Sequence, residues 1–151
     1  SHSYSNILIH AVYSTKRRLP LLTDKADRNQ LHCYTGGILR KNGAIPLGIN
    51  GVEDHIHILM SIHPDQSVAQ VIKESKRASS IWIKSQGTNY SGFSWQRGYG
   101  AFSVSESIKD KVRNYIARQE EHHRRFTFME EWEAFMRTNG LPSQQPRHSS
   151  G

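Results

Sequence analysis

Residues 53–60 constrain this chain more than any other stretch, because their polar–apolar alternation has the period of a half-buried strand. Successive side chains of a strand point to opposite faces, so His55 and His57 share one face while Ile56, Ile58 and Met60 share the other. Two imidazoles roughly 6.5–7 Å apart along a rigid strand can converge on one metal ion if a third ligand arrives from above. The plainer alternative is a strand bearing two exposed or hydrogen-bonded histidines. What else the chain can bring to that face decides between them.

The remaining elements are read from cap and turn residues. Residues 6–13 form an apolar first strand that ends in the basic turn Lys16, Arg17, Arg18. Thr23 or Asp24 caps a helix running to about Lys41, where Asn42 and Gly43 stop it. Residues 44–50 make a second strand whose Pro46 suits an edge. After the histidine strand, Ser67 caps a helix to about Lys84, and residues 99–105 give a fourth strand. Ser105 or Ser107 then caps a helix from about Ile108 to His123. Trp132 and Phe135 recur at helical spacing in a tail expected to pack on the domain.

Strand, helix, strand, strand, helix, strand, helix is the order of a split βαβ, ferredoxin-like α+β fold. The expected sheet is antiparallel with order 4-1-3-2 and has both crossover helices on one face. The last helix, which carries Tyr115, is expected on the other face with the histidines. Residues 1–141 are expected to form a single domain, and residues 142–151 a disordered tail.

Lys and Arg number 20 against 13 Asp and Glu, a net charge of +7. That balance favours a polyanionic partner, nucleic acid first and an anionic membrane surface second. The single cysteine, Cys33, excludes an internal disulfide framework and a multi-cysteine zinc site, and fits a cytosolic protein. No apolar run approaches a membrane-spanning length and no signal-peptide pattern opens the chain. Lys16, Arg17 and Arg18, together with Lys73, Lys76 and Arg77 on the second crossover helix, are candidate DNA-phosphate contacts. Solvated surface is the alternative for each. Trp95 and Tyr99 either approach the site or pack, and His10 reads as a hydrogen-bonded core histidine.

Tyr115 and Gln119 lie four residues apart, one above the other on one helix face. A phenol can attack phosphorus and store the cleaved bond as phosphotyrosine. With a pKa near 10 only ~0.1% of a free phenol is ionised at neutral pH, so it needs a base or a metal that activates the phosphate. The Gln119 carboxamide oxygen could be the third ligand beside His55 and His57, a set that suits Mg²⁺ or Mn²⁺ in function while Zn²⁺, Co²⁺ or Ni²⁺ bind comparably.

The pair His55-Ile56-His57, followed by a helical Tyr115 with Gln119 one turn on, resembles the HUH single-strand nucleases, where U is a hydrophobic residue. It is most similar to the single-tyrosine transposases of small insertion sequences (IS200-like), including the repeat-associated tyrosine transposases. Residues 9–16, 52–57, 95–103 and 115–119 carry the resemblance in that order. It implies a single-strand DNA endonuclease and strand transferase that cleaves and rejoins through a 5′-phosphotyrosine on Tyr115. It further implies a divalent cation, Mg²⁺ or Mn²⁺, held by His55, His57 and Gln119. The resemblance brings hairpin recognition at element ends, no nucleotide cofactor, no membrane, a homodimer, and a cytoplasmic, nucleoid-associated location in a bacterium or archaeon. A catalytically silent or domesticated hairpin-binding protein of the same fold is the alternative, and a metal-dependent hydrolase of small phosphate esters a more distant one.

Overall fold

A computed structural model describes residues 3–141 of the chain, and the expected disordered tail, residues 142–151, lies outside them. Four strands form one antiparallel sheet: β1 (Ile7–Ser14), β2 (Ile45–Gly51), β3 (His55–Ile62) and β4 (Gly100–Val104), in the order β2-β3-β1-β4. This is the expected order 4-1-3-2 read from the other edge. The histidine strand is therefore internal, with Val12 opposite His57 and Ser14 opposite His55. Pro46 sits on the edge strand β2, where the register shifts between Pro46 and Gly48. A missing N–H costs little at an edge.

The crossover helices α1 (Lys25–Lys41) and α2 (Val68–Lys84) cover one face. Each starts at a side-chain cap: Asp24 accepts from the Asp27 N–H at 2.9 Å, and Ser67 from the Gln70 N–H at 3.2 Å. Gly43, at φ 86°, ends α1 in a conformation that glycine adopts without strain. Beneath these helices lies the main core, which contains Ile9, Ala11, Tyr13, Ile56, Ile58 and Met60 from the sheet together with Leu31, Leu39, Ile72 and Ile83. Full burial of each large aliphatic here is worth about 1.5–3 kcal/mol.

The other face carries Leu8, Leu59 and Val104, packed against Ile116, Val112 and Tyr115 of α3 (Lys109–Ala117). The helix expected to run to His123 breaks at Arg118, at φ −102° and ψ 24°, and resumes as α4 (Gln119–His123). Asn50 Nδ2 of β2 donates to the Ala117 carbonyl at 3.2 Å, a carbonyl that an unbroken helix would pair with residue 121. The break rotates Gln119 inward, where it is fully buried.

α5 (Phe128–Thr138) completes this layer. Its start is a capping box: Thr127 Oγ1 accepts from the Glu130 N–H, and the Glu130 carboxylate accepts from the Thr127 N–H. Phe128 is buried against His55, and Phe135 stacks on Phe102 of β4 and meets His10 edge to face. The tail thus packs, as its spacing predicts. Among the described residues no helix is long and apolar enough to cross a membrane.

Candidate metal and tyrosine site

Alternation along β3 aims His55 and His57 at the face beneath α3, α4 and α5, and both are fully buried. Asp54 Oδ1 lies 2.7 Å from His55 Nδ1 and accepts a hydrogen bond from its N–H, which in the neutral ring leaves His55 Nε2 with a lone pair pointing into the site. Gln119 Oε1 stands 3.3 Å from that nitrogen. A lone pair facing a carbonyl oxygen is repulsive unless a proton or a cation lies between them.

His57 is held from behind in the same manner. His10 Nε2 lies 2.9 Å from His57 Nδ1, so one shared proton orients both rings. The expectation of a hydrogen-bonded core histidine at position 10 therefore holds, and its partner is one of the site histidines. Burial, added to by the His57 charge, pulls His10 down to about 3, so it is neutral at physiological pH. Burial likewise holds His57 below its ordinary value, against the opposing pull of Glu131.

Tyr115 comes from α3, and its ring centroid lies 5.6 Å from that of His57 and 4.9 Å from that of His122. Burial and the charge of Glu131 push the phenol well above its usual value. The hydroxyl therefore stays protonated until something nearby removes or stabilises its charge. Four of the residues singled out from the sequence, His55, His57, Tyr115 and Gln119, meet within one chain.

Glu131 of α5 was not anticipated. It is only 4% exposed, and its Oε1 contacts His57 Nε2. Its Oε2 lies 3.8 Å from both His55 Nε2 and His122 Nε2. Burial raises its carboxyl, but the flanking His57 and His55 outweigh that and bring it to about 2. One sequence signal was available. Glu131 falls at an apolar position of the stripe Phe128, Trp132, Phe135, where an acid needs a buried partner. His122 and His123, at the end of α4, are both half-buried, and His123 Nε2 pairs with Glu53 at 3.3 Å.

The donor set suits a divalent cation. Ligand atoms of His55, His57 and Glu131 lie within 4.8 Å of one another, and Gln119 Oε1 joins them through His55. Buried Gln119 also acts on the phenol of Tyr115, which its side chain pulls down against the stronger upward push of burial and Glu131.

The six basic candidates gather elsewhere. Lys16, Arg17 and Arg18 form a 3₁₀ turn in which Arg17 and Arg18 have φ near +55° (56° and 55°), and the Arg17 N–H donates to Gln96 Oε1. Lys76 Nζ donates to the carbonyls of Gln96 and Gly98, so the same loop ties both basic groups together. Arg77 pairs with Glu74, and Lys73 is exposed. Lys73, Lys76 and Arg77 line a shallow cleft of about 370 Å³ with Trp95, Arg97 and Tyr99. Trp95 packs, its Nε1–H donating to Ser79, whereas Tyr99 is 40% exposed. A different cleft of about 370 Å³ leads to Tyr115 and is lined by Lys111, Arg118 and Arg125, basic residues that sequence spacing did not single out.

An internal strand of a split βαβ sheet thus presents two imidazoles to a tyrosine on a covering helix. The family model described as "Transposase IS200 like" matches residues 3–119, and the chain belongs to that family. It is 24% identical over 115 residues to the ISDra2 transposase TnpA of Deinococcus radiodurans, covering 73% of this chain and 81% of the relative. Among solved structures it resembles a candidate transposase from D. radiodurans (TM-score 0.62, 22% identity, 79% of this chain and 95% of that one). It also resembles a REP-associated tyrosine transposase bound to a REP hairpin (TM-score 0.60, 15% identity, 100% and 93%). Both share the fold.

Proposed function

We propose that this transposase cleaves and rejoins single-stranded DNA near hairpins, with Tyr115 as nucleophile. The observation that carries the reading is the meeting of Tyr115 with His55, His57 and Gln119 inside one chain of a transposase family. In the forward step a Tyr115 oxygen–phosphorus bond forms and the bond from phosphorus to the 3′ oxygen breaks. The phenol proton is lost, the departing 3′ oxygen takes one up, and a 5′-phosphotyrosine remains. Attack by a 3′-OH on that linkage reverses the bookkeeping and joins the strands. His55, His57 and Gln119 would hold Mg²⁺ or Mn²⁺, which when bound makes the phosphate more electrophilic. Asp54 and His10 keep the two imidazoles oriented, and α5 keeps bulk water from the site. Lys111, Arg118 and Arg125 would guide the strand to Tyr115, and the Lys73–Arg77 cleft a more distant segment. The work is done where genomic DNA lies, in the cytoplasm of a bacterial or archaeal cell.

Covalent capture tests this. Incubated with hairpin-bearing single-stranded DNA and Mn²⁺, the protein should give an adduct that survives a denaturing gel, and Tyr115→Phe should give none. An adduct persisting in Tyr115→Phe would rule the nucleophile out.

A second reading, a hairpin binder that does not cleave, draws on the full burial of both histidines and on the contact of Glu131 with His57. It predicts DNA affinity unaltered by chelator or by His55→Ala/His57→Ala, and no nicking.

A further inference from the structure

We infer that Glu131 is itself a ligand of the divalent cation, so that α5 supplies a carboxylate to a site otherwise built from β3 and α4. The inference rests on the metal reading above and extends its donor set. The first observation is geometric: ligand atoms of Glu131, His55 and His57 fall within 4.8 Å of one another, so that small side-chain adjustments bring all three to one ion. The second is burial. A carboxylate 4% exposed on the apolar face of a helix, between Phe128 and Phe135, is costly to keep charged without a cation beside it. Its neighbours there are imidazoles, which are cationic only when protonated, whereas a dication offsets that cost at any pH at which it binds. The third is the seat. Gly100 lies under Trp132, with an added Cβ only 3.0 Å from the ring, and the Thr127–Glu130 capping box fixes where α5 begins. Glu131 is therefore delivered by two structural devices and not by a chance approach. It also lies beyond residue 119, where the family match ends.

Two imidazoles, a carboxylate and an amide oxygen suit Mn²⁺ better than Mg²⁺, because imidazole favours transition ions and Mg²⁺ prefers an all-oxygen shell. Bound in this way, the ion ties α5 to the sheet.

The test needs no DNA. Metal-free full-length protein is titrated calorimetrically with Mn²⁺ and, separately, Mg²⁺, and thermal melts are recorded with and without Mn²⁺. The wild type should bind Mn²⁺ more tightly than Mg²⁺ and gain stability from it. Glu131→Gln, which keeps the side-chain volume, and Glu131→Ala should each weaken Mn²⁺ binding at least tenfold and lose most of the thermal gain. His55→Ala/His57→Ala should abolish both. Unchanged Mn²⁺ affinity in a folded Glu131→Gln protein would overturn the assignment while leaving the histidine site intact. Tighter binding in either Glu131 variant would overturn it too, showing a carboxylate that competes with the ion for the imidazoles. A wild type that binds neither ion would sink the ligand assignment and the metal reading together.

Discussion

His10 shows how one side chain can act at a site without touching its ligand. Its Nε2 contacts His57 Nδ1 at 2.9 Å, and removing it frees the ring to rotate. His10→Ala should therefore lower Mn²⁺ affinity about 10–100-fold, and His10→Gln, which can still accept from Nδ1–H, should restore much of it. Calorimetry on the two variants checks this, and equal affinities in wild type and His10→Ala would refute it. His32, remote from the site on α1, gives a separate pH test. Burial, and secondarily the charge of Arg28, lowers it from 6.5 to about 4, so the folded state holds it neutral. The unfolded chain then binds more protons between pH 4 and 6.5. The stability due to this group is complete above about pH 6.5 and is lost as pH falls towards 4, by roughly 3 kcal/mol at most. Urea melts of His32→Asn against wild type should show a shallower acid decline, and parallel declines would refute the assignment.

At the scale of elements, the two faces of the sheet are built differently. α1 and α2 rest on a thick aliphatic core, whereas α3 is pinned largely by Ile116, 1% exposed among Leu8, Leu59 and Val104. Ile116→Ala should cost about 2–5 kcal/mol and disorder the phenol with it, read as a fall in melting temperature together with loss of adduct. α5 depends on a small contact. Gly100→Ala places a methyl 3.0 Å from Trp132 and 3.1 Å from Phe102, forcing the helix outward. The expected loss is about 1–3 kcal/mol, with faster hydrogen exchange confined to α5. Uniform exchange across α1 to α5 would show that the glycine has no such role. The break at Arg118 belongs to this scale also: residues 108–123 read as one helix, and in the fold the Asn50 side chain of another strand takes up the Ala117 carbonyl at the break.

For the whole molecule, Tyr115 and the imidazole of His57 meet within a single chain, which predicts action in cis. Mixing Tyr115→Phe with His57→Ala protein should therefore leave adduct formation absent, and recovered activity in the mixture would establish action across subunits. A net charge of +7 predicts DNA affinity that falls steeply between low and physiological salt. Much of this architecture was legible beforehand. The alternation in residues 53–60 puts His55 and His57 on one face whatever the sheet does, caps at Asp24 and Ser67 begin the two crossover helices, and the order of elements selects the sheet. These are local properties, set by the two-residue period of a strand, by cap chemistry and by connection rules. What covers the histidines is not local. Glu131 reaches His57 across 74 positions of sequence because α5 docks through Phe128, Trp132 and Phe135 against a sheet with glycine at position 100. Helical spacing reveals that such a stripe must be buried, but only shape complementarity between surfaces distant in the chain decides where, and so which buried group its acid meets.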